Sequence, residues 1–195
     1  MTDALRSVGD VHRARDLAQR LLVDLPERWL HTIGVARRAD MAAATVGPRS
    51  EGEILLAAAW LHDIGYAATL YDTGFHPLDG ARHLETTGWP SRIVALVAHH
   101  SAAMHTAQAR GLAEKLTRFP REQSRVSDAL TYADQTVTPN GRVINFEQRL
   151  ADMLRRHGPD SPNAAARQLR TPLLRAAVVR VQHRLAMIDH LPSAA

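Results

Sequence analysis

Apolar residues recur at intervals of three or four along most of this chain, which places them on one face of an α-helix. Residues 11–23 show the pattern first, with apolar side chains at Ala14, Leu17, Ala18, Leu21 and Leu22. A second helix is predicted from Pro26 to about Val46, because proline suits a first turn and Gly47-Pro48 would end the helix. Each pattern predicts a helix that packs one face against a core.

One segment departs from this alternation, because Ile54–Leu61 reads ILLAAAWL and contains no polar residue. A helix that is apolar on every side is buried in a core. His62 and Asp63 follow directly, and Gly65 fits a helix stop signal. Ionisable groups in such a position are costly to bury unless they are paired or bound to a metal. We therefore predict a buried helix that carries an imidazole and a carboxylate at its C-terminal end.

Start and stop signals predict the remaining helices. The signals indicate a capping box at Ser50 and Glu53, caps at Asn145 and Gln148, and helix starts at Ser161-Pro162 and Thr171-Pro172. They also indicate helices over 77–87, from Pro90 through His100, and over 124–136. The last helix has an apolar stripe at Leu174, Val178, Val181, Leu185 and Ile188, which indicates core packing first and a homodimer contact second. No pair of strands is evident. The prediction is an all-α fold with one domain over residues 1–195.

Composition narrows the class of protein. Hydrophobic residues make up 45% of the 195, which is typical of a globular chain, and no apolar run approaches the ~20 residues that span a bilayer. The N-terminus has no long apolar centre, so we predict no secretory signal, no membrane partner and a cytoplasmic location. Cysteine is absent, which excludes disulfides, thiolate metal sites and cysteine nucleophiles.

Charge gives little sign of a nucleic-acid partner. The net charge is +4, and acidic residues are interleaved with basic ones in most segments. Arginines do accumulate near the C-terminus, and we interpret them first as a solvated helix face and second as a nucleic-acid or phosphate surface. They are Arg167, Arg170, Arg175, Arg180 and Arg184. Without a helix-turn-helix or an aromatic-basic pattern, we predict that the protein does not bind nucleic acid.

Five of the 11 histidines lie on or beside apolar segments: His31, His62, His76, His99 and His100. Asp134 likewise ends a mostly apolar helix. One such residue alone is more often a satisfied core residue than a ligand, but several together favour a metal site. Imidazoles and carboxylates without thiols suit Mn²⁺, Fe²⁺, Co²⁺, Ni²⁺, Mg²⁺ or Zn²⁺, which the residues do not distinguish.

The order of His31, His62-Asp63 and Asp134 on successive helices resembles the HD-domain superfamily of metal-dependent phosphohydrolases, and His62-Asp63-Ile64-Gly65 matches its HDIG motif. The resemblance covers approximately residues 28–136, with the first and last helices as flanking additions. It implies that His31, His62, Asp63 and Asp134 bind one metal ion. It also implies a catalytic role for Asp63, which could take up a proton as well as bind the ion.

Some branches of the superfamily place further histidines between the His-Asp pair and the last aspartate, and these form a two-metal site. His76, His99 and His100 occupy such positions, and by this resemblance they would bind a second ion or the substrate phosphate. Cations are also needed to meet the charge of a phosphoryl group. Arg82 and Arg142, and in addition Lys115, are the candidates by position along the chain, although each also fits an ordinary surface cation.

The function that the resemblance implies is hydrolysis of a phosphomonoester or phosphodiester by metal-activated water, with a nucleotide or related small phosphate as substrate. Two alternatives stay open. A two-iron site could instead oxidise a carbon substrate with O₂, as in some HD-fold proteins. The chain could also be a metal-containing binding or regulatory module without turnover.

Overall fold

A computed structural model describes residues 3–157 and 161–190, and helices dominate this part of the chain. The helices are α1 Asp3–Leu22, α2 Pro26–Ala42, α3 Arg49–Leu61, α4 His76–Thr86, α5 Ser91–His99, α6 Ala103–Ala109, α7 Ala113–Leu116, α8 Arg125–Gln135, α9 Phe146–His157, α10 Pro162–Ala165 and α11 Arg167–Asp189. Short 3-10 helices cover Ala43–Thr45, Ile64–Tyr66, Ala68–Leu70 and His100–Ala102. In the described residues, β-pairing is limited to an isolated bridge between Val137 and Val143, so the predicted all-α fold is confirmed.

Helix α3 lies at the centre of the fold, because apolar residues pack against it from two sides. Leu55 and other side chains on one side of α3 form a cluster with residues of α2, α8 and α11. Leu61 and other side chains on the second side of α3 form a cluster with residues of α1, α4, α5 and α6. Leu55 and Leu61 are both fully buried. The two clusters explain why the segment ILLAAAWL has no polar face, and truncating either leucine to alanine would cost about 2–5 kcal/mol.

Several predicted helix starts are confirmed by side-chain caps. Asn145 and Gln148 exchange hydrogen bonds between side chains and backbone N–H groups across the start of α9. The hydroxyl of Ser161 accepts from the Ala164 N–H at the start of α10. The 124–136 helix is also found, as α8, and Ser124 begins it with a capping box to Ser127. These caps are local, which is why sequence signals could find them.

Two predicted helix starts are wrong. Helix α3 begins at Arg49 after Pro48, so Ser50 lies inside its first turn and makes no cap, while Glu53 accepts a hydrogen bond from Arg49 Nε at 3.0 Å. Helix α11 begins at Arg167, so Thr171-Pro172 does not open it and Pro172 lies inside the helix. Proline lacks the N–H that would continue the helical ladder. The helix continues through this position while Arg170, two residues earlier, is anchored in the interior.

The apolar stripe of α11 packs in the core as first interpreted. Leu174, Val178 and Val181 are buried against α8 and its neighbours. The homodimer contact stays a prediction. Among the helices that the structure describes, none combines the length and the apolar character that a bilayer crossing requires.

Candidate metal centre

The His-Asp pair lies where the central helix ends. Helix α3 ends at Leu61, His62 follows in helical conformation, and Asp63 turns the chain into the next 3-10 helix. His62 is fully buried and Asp63 is 3% exposed. Gly65 is not the stop signal that the sequence suggested, since the helix ends before it. Its lack of a side chain instead lets α4 approach, because a Cβ at Gly65 would lie 2.1 Å from the carbonyl oxygen of His76.

A first group of metal-ligating atoms comes from α2 and from the end of α3. One ligand atom from each of His31, His62 and Asp63 lies within 4.8 Å of the others. The Nε2 atom of His31 is 3.8 Å from Asp63 Oδ2, and the Nε2 atom of His62 is 3.4 Å from the same oxygen. Asp134, on α8, lies beside this group, with its Oδ1 3.1 Å from His31 Nε2. These four residues therefore converge on one buried location.

Backbone carbonyls fix the orientation of three histidine rings. The Nδ1 atoms of His31, His62 and His100 lie 3.1, 2.8 and 2.7 Å from the carbonyl oxygens of Thr138, Ala59 and Val97. A carbonyl oxygen can only accept, so each of these Nδ1 atoms carries the proton and donates it. When His62 and His100 carry this single proton, their Nε2 lone pairs face the Asp63 side, whereas His31 Nε2 lies 3.1 Å from Asp134 Oδ1. Fixing the ring through its second nitrogen is the usual arrangement for a metal-binding histidine.

Asp134 is held in a similar way. Its Oδ2 accepts hydrogen bonds from the Ser101 hydroxyl and from Gln135 Nε2, the latter at 2.7 Å. Its Oδ1 is thereby directed at His31. Ser101 and the following Ala102 both adopt left-handed backbone conformations, with φ of 49° and 55°. Non-glycine residues adopt this conformation at a cost, so the turn after His100 is strained where it orients a candidate ligand.

A second group of ligand atoms shares Asp63 with the first. Asp63, His76 and His100 each contribute one atom within 4.8 Å of the others. The Nε2 atom of His76 is 3.2 Å from Asp63 Oδ1 and 3.3 Å from His100 Nε2, and His100 Nε2 is 3.9 Å from Asp63 Oδ1. Asp63 thus directs Oδ2 at one group and Oδ1 at the other. One carboxylate between two sets of imidazoles is the geometry of a bridging ligand.

The other predicted site residues lie elsewhere. His99 points away from Asp63, and its Nε2 donates to the Phe119 carbonyl oxygen at 2.8 Å. Arg82 forms an ion pair with Asp72. Arg142 and Lys115 are exposed and are not among the residues that line the cavity beside Asp63. The cations chosen by position along the chain are therefore not brought to the ligand cluster.

Arg28 is not among the residues predicted from the sequence, yet it contacts the cluster directly. Its Nη1 donates to Asp63 Oδ2 at 2.8 Å, and its guanidinium lies 4.0 Å from the centre of the Tyr66 ring. Tyr66 in turn stacks on His76 with 4.0 Å between ring centres. A signal was present, because Arg28 precedes His31 by three residues and therefore shares its helix face.

Beside Asp63 lies a cavity of about 360 Å³ with a mixed lining. Arg28, Arg149 and Arg170 supply positive charge from three different helices, and Ser101, Gln135 and Asn163 supply neutral polar groups. Tyr66, Phe75 and Met153 add apolar surface. This volume is at the lower end of the range for small-molecule sites. Arg149, Arg170 and Asn163 lie 100 residues or more from His31 along the chain, and no local pattern links them to it.

Electrostatics favour a cation among these residues. Burial alone would raise the pKa of Asp63, but His62 and Arg28 outweigh it and hold that pKa well below its usual range. Asp134 behaves alike, because the hydrogen bond from His31 and the charge of His62 overcome burial and lower its pKa. Burial lowers the pKa of His76 and of His100, so both rings stay neutral near pH 7. Ionised carboxylates and neutral imidazoles are the forms that bind metal. His62 differs, because burial is outweighed by the charges of Asp63 and Asp134, which raise its pKa, so this ring gives up a proton when it binds an ion.

His62 shows most directly that the residues fit a metal ion. Its Nε2 atom is buried and has no hydrogen-bond partner among the described residues. Asp63 Oδ2 lies 3.4 Å away without good hydrogen-bond geometry, and a metal ion bound to this nitrogen would satisfy it. The donor set of imidazole nitrogens and carboxylate oxygens, with no thiolate, suits Zn²⁺ and the other first-row divalent ions. The residues therefore could hold such an ion.

Comparison with known proteins gives a family but no individual relative. The family model described as "HD domain" matches residues 28–187, which is most of the chain. No curated protein and no solved structure matches the chain. The matched range includes both groups of ligand atoms and the arginines of the cavity. The chain therefore belongs to the HD domain family, whose members are generally metal-dependent phosphohydrolases.

Proposed function

We propose that this protein is a metal-dependent phosphohydrolase that cleaves a phosphomonoester or phosphodiester of a nucleotide or related small molecule. His31, His62, Asp63 and Asp134 would hold one divalent ion. The observation that carries the proposal is the buried Nε2 of His62, which has no hydrogen-bond partner among the described residues and lies 3.4 Å from an Asp63 oxygen.

A second ion is part of the proposal. His76 and His100 would hold it together with Asp63, whose two oxygens already point at the two groups of histidines. Two ions that share a carboxylate usually lie about 3.5–4 Å apart. With both oxygens directed at imidazoles and a lowered pKa, Asp63 is better suited to bridge ions than to accept a proton.

Divalent ions at these residues would supply Lewis-acid activation of the phosphoryl group and lower the pKa of a water molecule. The chain's own groups would do the rest. Arg28 holds Asp63 in place and presents its remaining N–H groups to the cavity. Tyr66 and Phe75 give the cavity apolar walls that a nucleobase or similar group could contact. Fixed donors that meet developing charge contribute a large share of such catalysis.

The first experiment tests the ligands. Purified protein would be supplied with each metal singly and screened against nucleotide and sugar phosphates for phosphate release. We expect Asp63→Ala to abolish release and to lower bound metal, with helicity by circular dichroism retained. Asp40→Asn, an exposed aspartate on the same helix as His31, is the matched control and should change neither. Equal turnover by Asp63→Ala and the parent at matched metal occupancy would exclude the proposed role.

The second experiment tests the second ion. The double variant His76→Ala, His100→Ala should bind one ion fewer per chain and lose turnover. His99→Ala is the control, because this neighbouring histidine bonds to the Phe119 carbonyl and not to the cluster. Unchanged stoichiometry and unchanged turnover in the double variant would mean that both histidines are structural.

The histidine-rich second group also keeps an oxidative function open. Two ions that share Asp63 could be irons, and a two-iron centre can activate O₂. Metal analysis of protein purified without added metal, followed by measurement of O₂ consumption, separates the two functions. Phosphate release with a redox-inactive ion such as Mg²⁺ or Zn²⁺ would support hydrolysis.

A further inference from the structure

Two arginines in the cavity have weak contacts, or none, with acidic side chains among the described residues. Arg170, on α11, is 8% exposed and makes no ion pair within the described residues. Its bonds go to neutral acceptors, namely the Ser101 carbonyl from Nε at 3.1 Å and Nη2 at 3.0 Å, and Asn163 Oδ1 from Nη1 at 3.1 Å. Burial lowers the pKa of Arg170 although the charge of Asp134 opposes this, and no carboxylate among the described residues bonds to it directly, so the position favours binding of an anion.

Arg149, on α9, is the second of these arginines. Its side chain is 13% exposed, and within the described residues its one ion pair is with Asp152 at 3.8 Å. Arg155 contacts the same aspartate more closely, at 2.9 Å. The Nε atom of Arg149 is buried without a hydrogen-bond partner there. Nε is closed off from solvent, so the donors that Arg149 offers to the cavity are those of its Nη atoms, which make no hydrogen bond within the described residues.

The donors of Arg170 are only partly used as well. A guanidinium has five N–H groups, and the three bonds of Arg170 leave two of them. Both arginines line the cavity that also contains Asp63, His76 and His100. Arg28 differs from them, because it is bound to Asp63 at 2.8 Å and belongs to the ligand cluster. The cations of the cavity thus form two groups, one at the cluster and one on the C-terminal helices.

We infer that Arg149 and Arg170 bind a second phosphoryl group of the substrate, while the reacting phosphate lies at the His-Asp cluster. The substrate class is then a small organic diphosphate or polyphosphate, such as a nucleoside diphosphate or triphosphate, and not a simple monophosphate. The inference rests on the proposed function for the position of the reacting phosphate. Guanidinium groups bind phosphate through paired, charge-assisted hydrogen bonds, and two of them can hold one phosphoryl group from two sides.

The test uses two stable probes that differ by one phosphoryl-like group, methylphosphonate and methylenediphosphonate. Each is titrated calorimetrically into the full chain with Mn²⁺ supplied. We expect the diphosphonate to bind the parent more tightly, and Arg149→Gln to weaken diphosphonate binding by about 10- to 100-fold. Methylphosphonate binding should stay unchanged in this variant. Metal ions also bind a diphosphonate more tightly than a monophosphonate. The test is therefore the change in diphosphonate affinity between the parent and Arg149→Gln, not the affinity of the parent alone.

Arg155→Gln is the matched control. It removes an arginine from the same helix that pairs with the same Asp152 but does not line the cavity. It should change the affinity for neither probe. Arg170→Lys is a second test variant, because it retains the charge but cannot make the paired bonds. It should weaken the diphosphonate selectively if its melting temperature matches that of the parent.

The inference is overturned if Arg149→Gln leaves diphosphonate affinity unchanged, or if it weakens both probes equally. These results are distinct from failure of the proposed function. If no phosphate ester is hydrolysed but the Arg149-dependent preference is found, the anion subsite stands and the hydrolase does not. If turnover is found without that preference, the hydrolase stands and the substrate class is wrong.

Discussion

Replacing Gly65 by alanine tests how closely the two ligand-carrying elements approach. The new Cβ would lie 2.1 Å from the carbonyl oxygen of His76 and 2.6 Å from the amide nitrogen of Gly80. Both are backbone atoms, so no side-chain rotation relieves the clash. Contacts of this kind stay above about 3 Å in real structures, so the start of α4 must move by roughly 0.9 Å.

The displacement has two calculable effects. Forced overpacking of this kind costs about 1–3 kcal/mol of the free energy of unfolding. His76 opens α4, so its ring should also move from its position 3.2 Å from Asp63. A misplacement of about 1 Å at a reacting centre can lower a rate about 100-fold. Urea unfolding measures the first effect, and metal stoichiometry with phosphate release measures the second.

Two other glycines provide graded controls. A Cβ at Gly80 would meet the nitrogen of Gly65 at 3.2 Å, so Gly80→Ala should be less damaging. A Cβ at Gly52, inside α3, would come no closer than 3.4 Å to Ala43. Gly52→Ala should therefore stabilise the protein by about 0.5–1 kcal/mol through helix propensity. If Gly65→Ala is as stable and as active as Gly52→Ala, the close approach has no structural role.

Three further changes test features outside the ligand set. Ala102→Gly should raise the free energy of unfolding by up to about 1 kcal/mol in urea, because it relieves a left-handed alanine; a loss would contradict the strained turn. Pro172→Ala should add about 1–3 kcal/mol by restoring a helical N–H, and an unchanged urea midpoint would argue against a continuous α11. Glu51→Gln removes a paired contact to Arg92 (2.6 and 2.7 Å) and should cost about 0.5 kcal/mol near pH 7. The Arg92 hydrogen bond lowers the pKa of folded Glu51, so its contribution is complete above the unfolded pKa and is lost as pH falls through the folded one; a parent–variant difference that persists in acid would contradict this.

The ligand cluster was largely accessible to sequence reasoning, whereas the cavity was not. Helical periodicity places His31 and His100 on apolar faces, and the end of the apolar run identifies His62 and Asp63. Such signals are local, and the structure brings these side chains to one place. His99 follows the same run as His100, but a turn of about 100° around the helix directs it to a backbone carbonyl instead.

The arginines show where local reasoning fails. Their positions after candidate ligands along the chain predict Arg82 and Arg142 as phosphate-binding cations. In the structure Arg82 pairs with Asp72, and both arginines lie outside the cavity lining. The cavity takes Arg149 and Arg170 from helices that fold back from the C-terminal part. Their part in it depends on tertiary packing, and no periodicity in one sequence encodes which distant helix covers a site.

The position of His62 and Asp63 at the end of α3 also bears on how the centre opens. Both apolar clusters pack against α3, so the end of this helix cannot move without disturbing the whole interior. Backbone amides of α3 should exchange hydrogen with solvent only through global unfolding, whereas those of exposed loops exchange through local opening. A rigid cage of this kind exists only in the folded protein, so the binding energy of any ion held there would add to the stability of the entire domain.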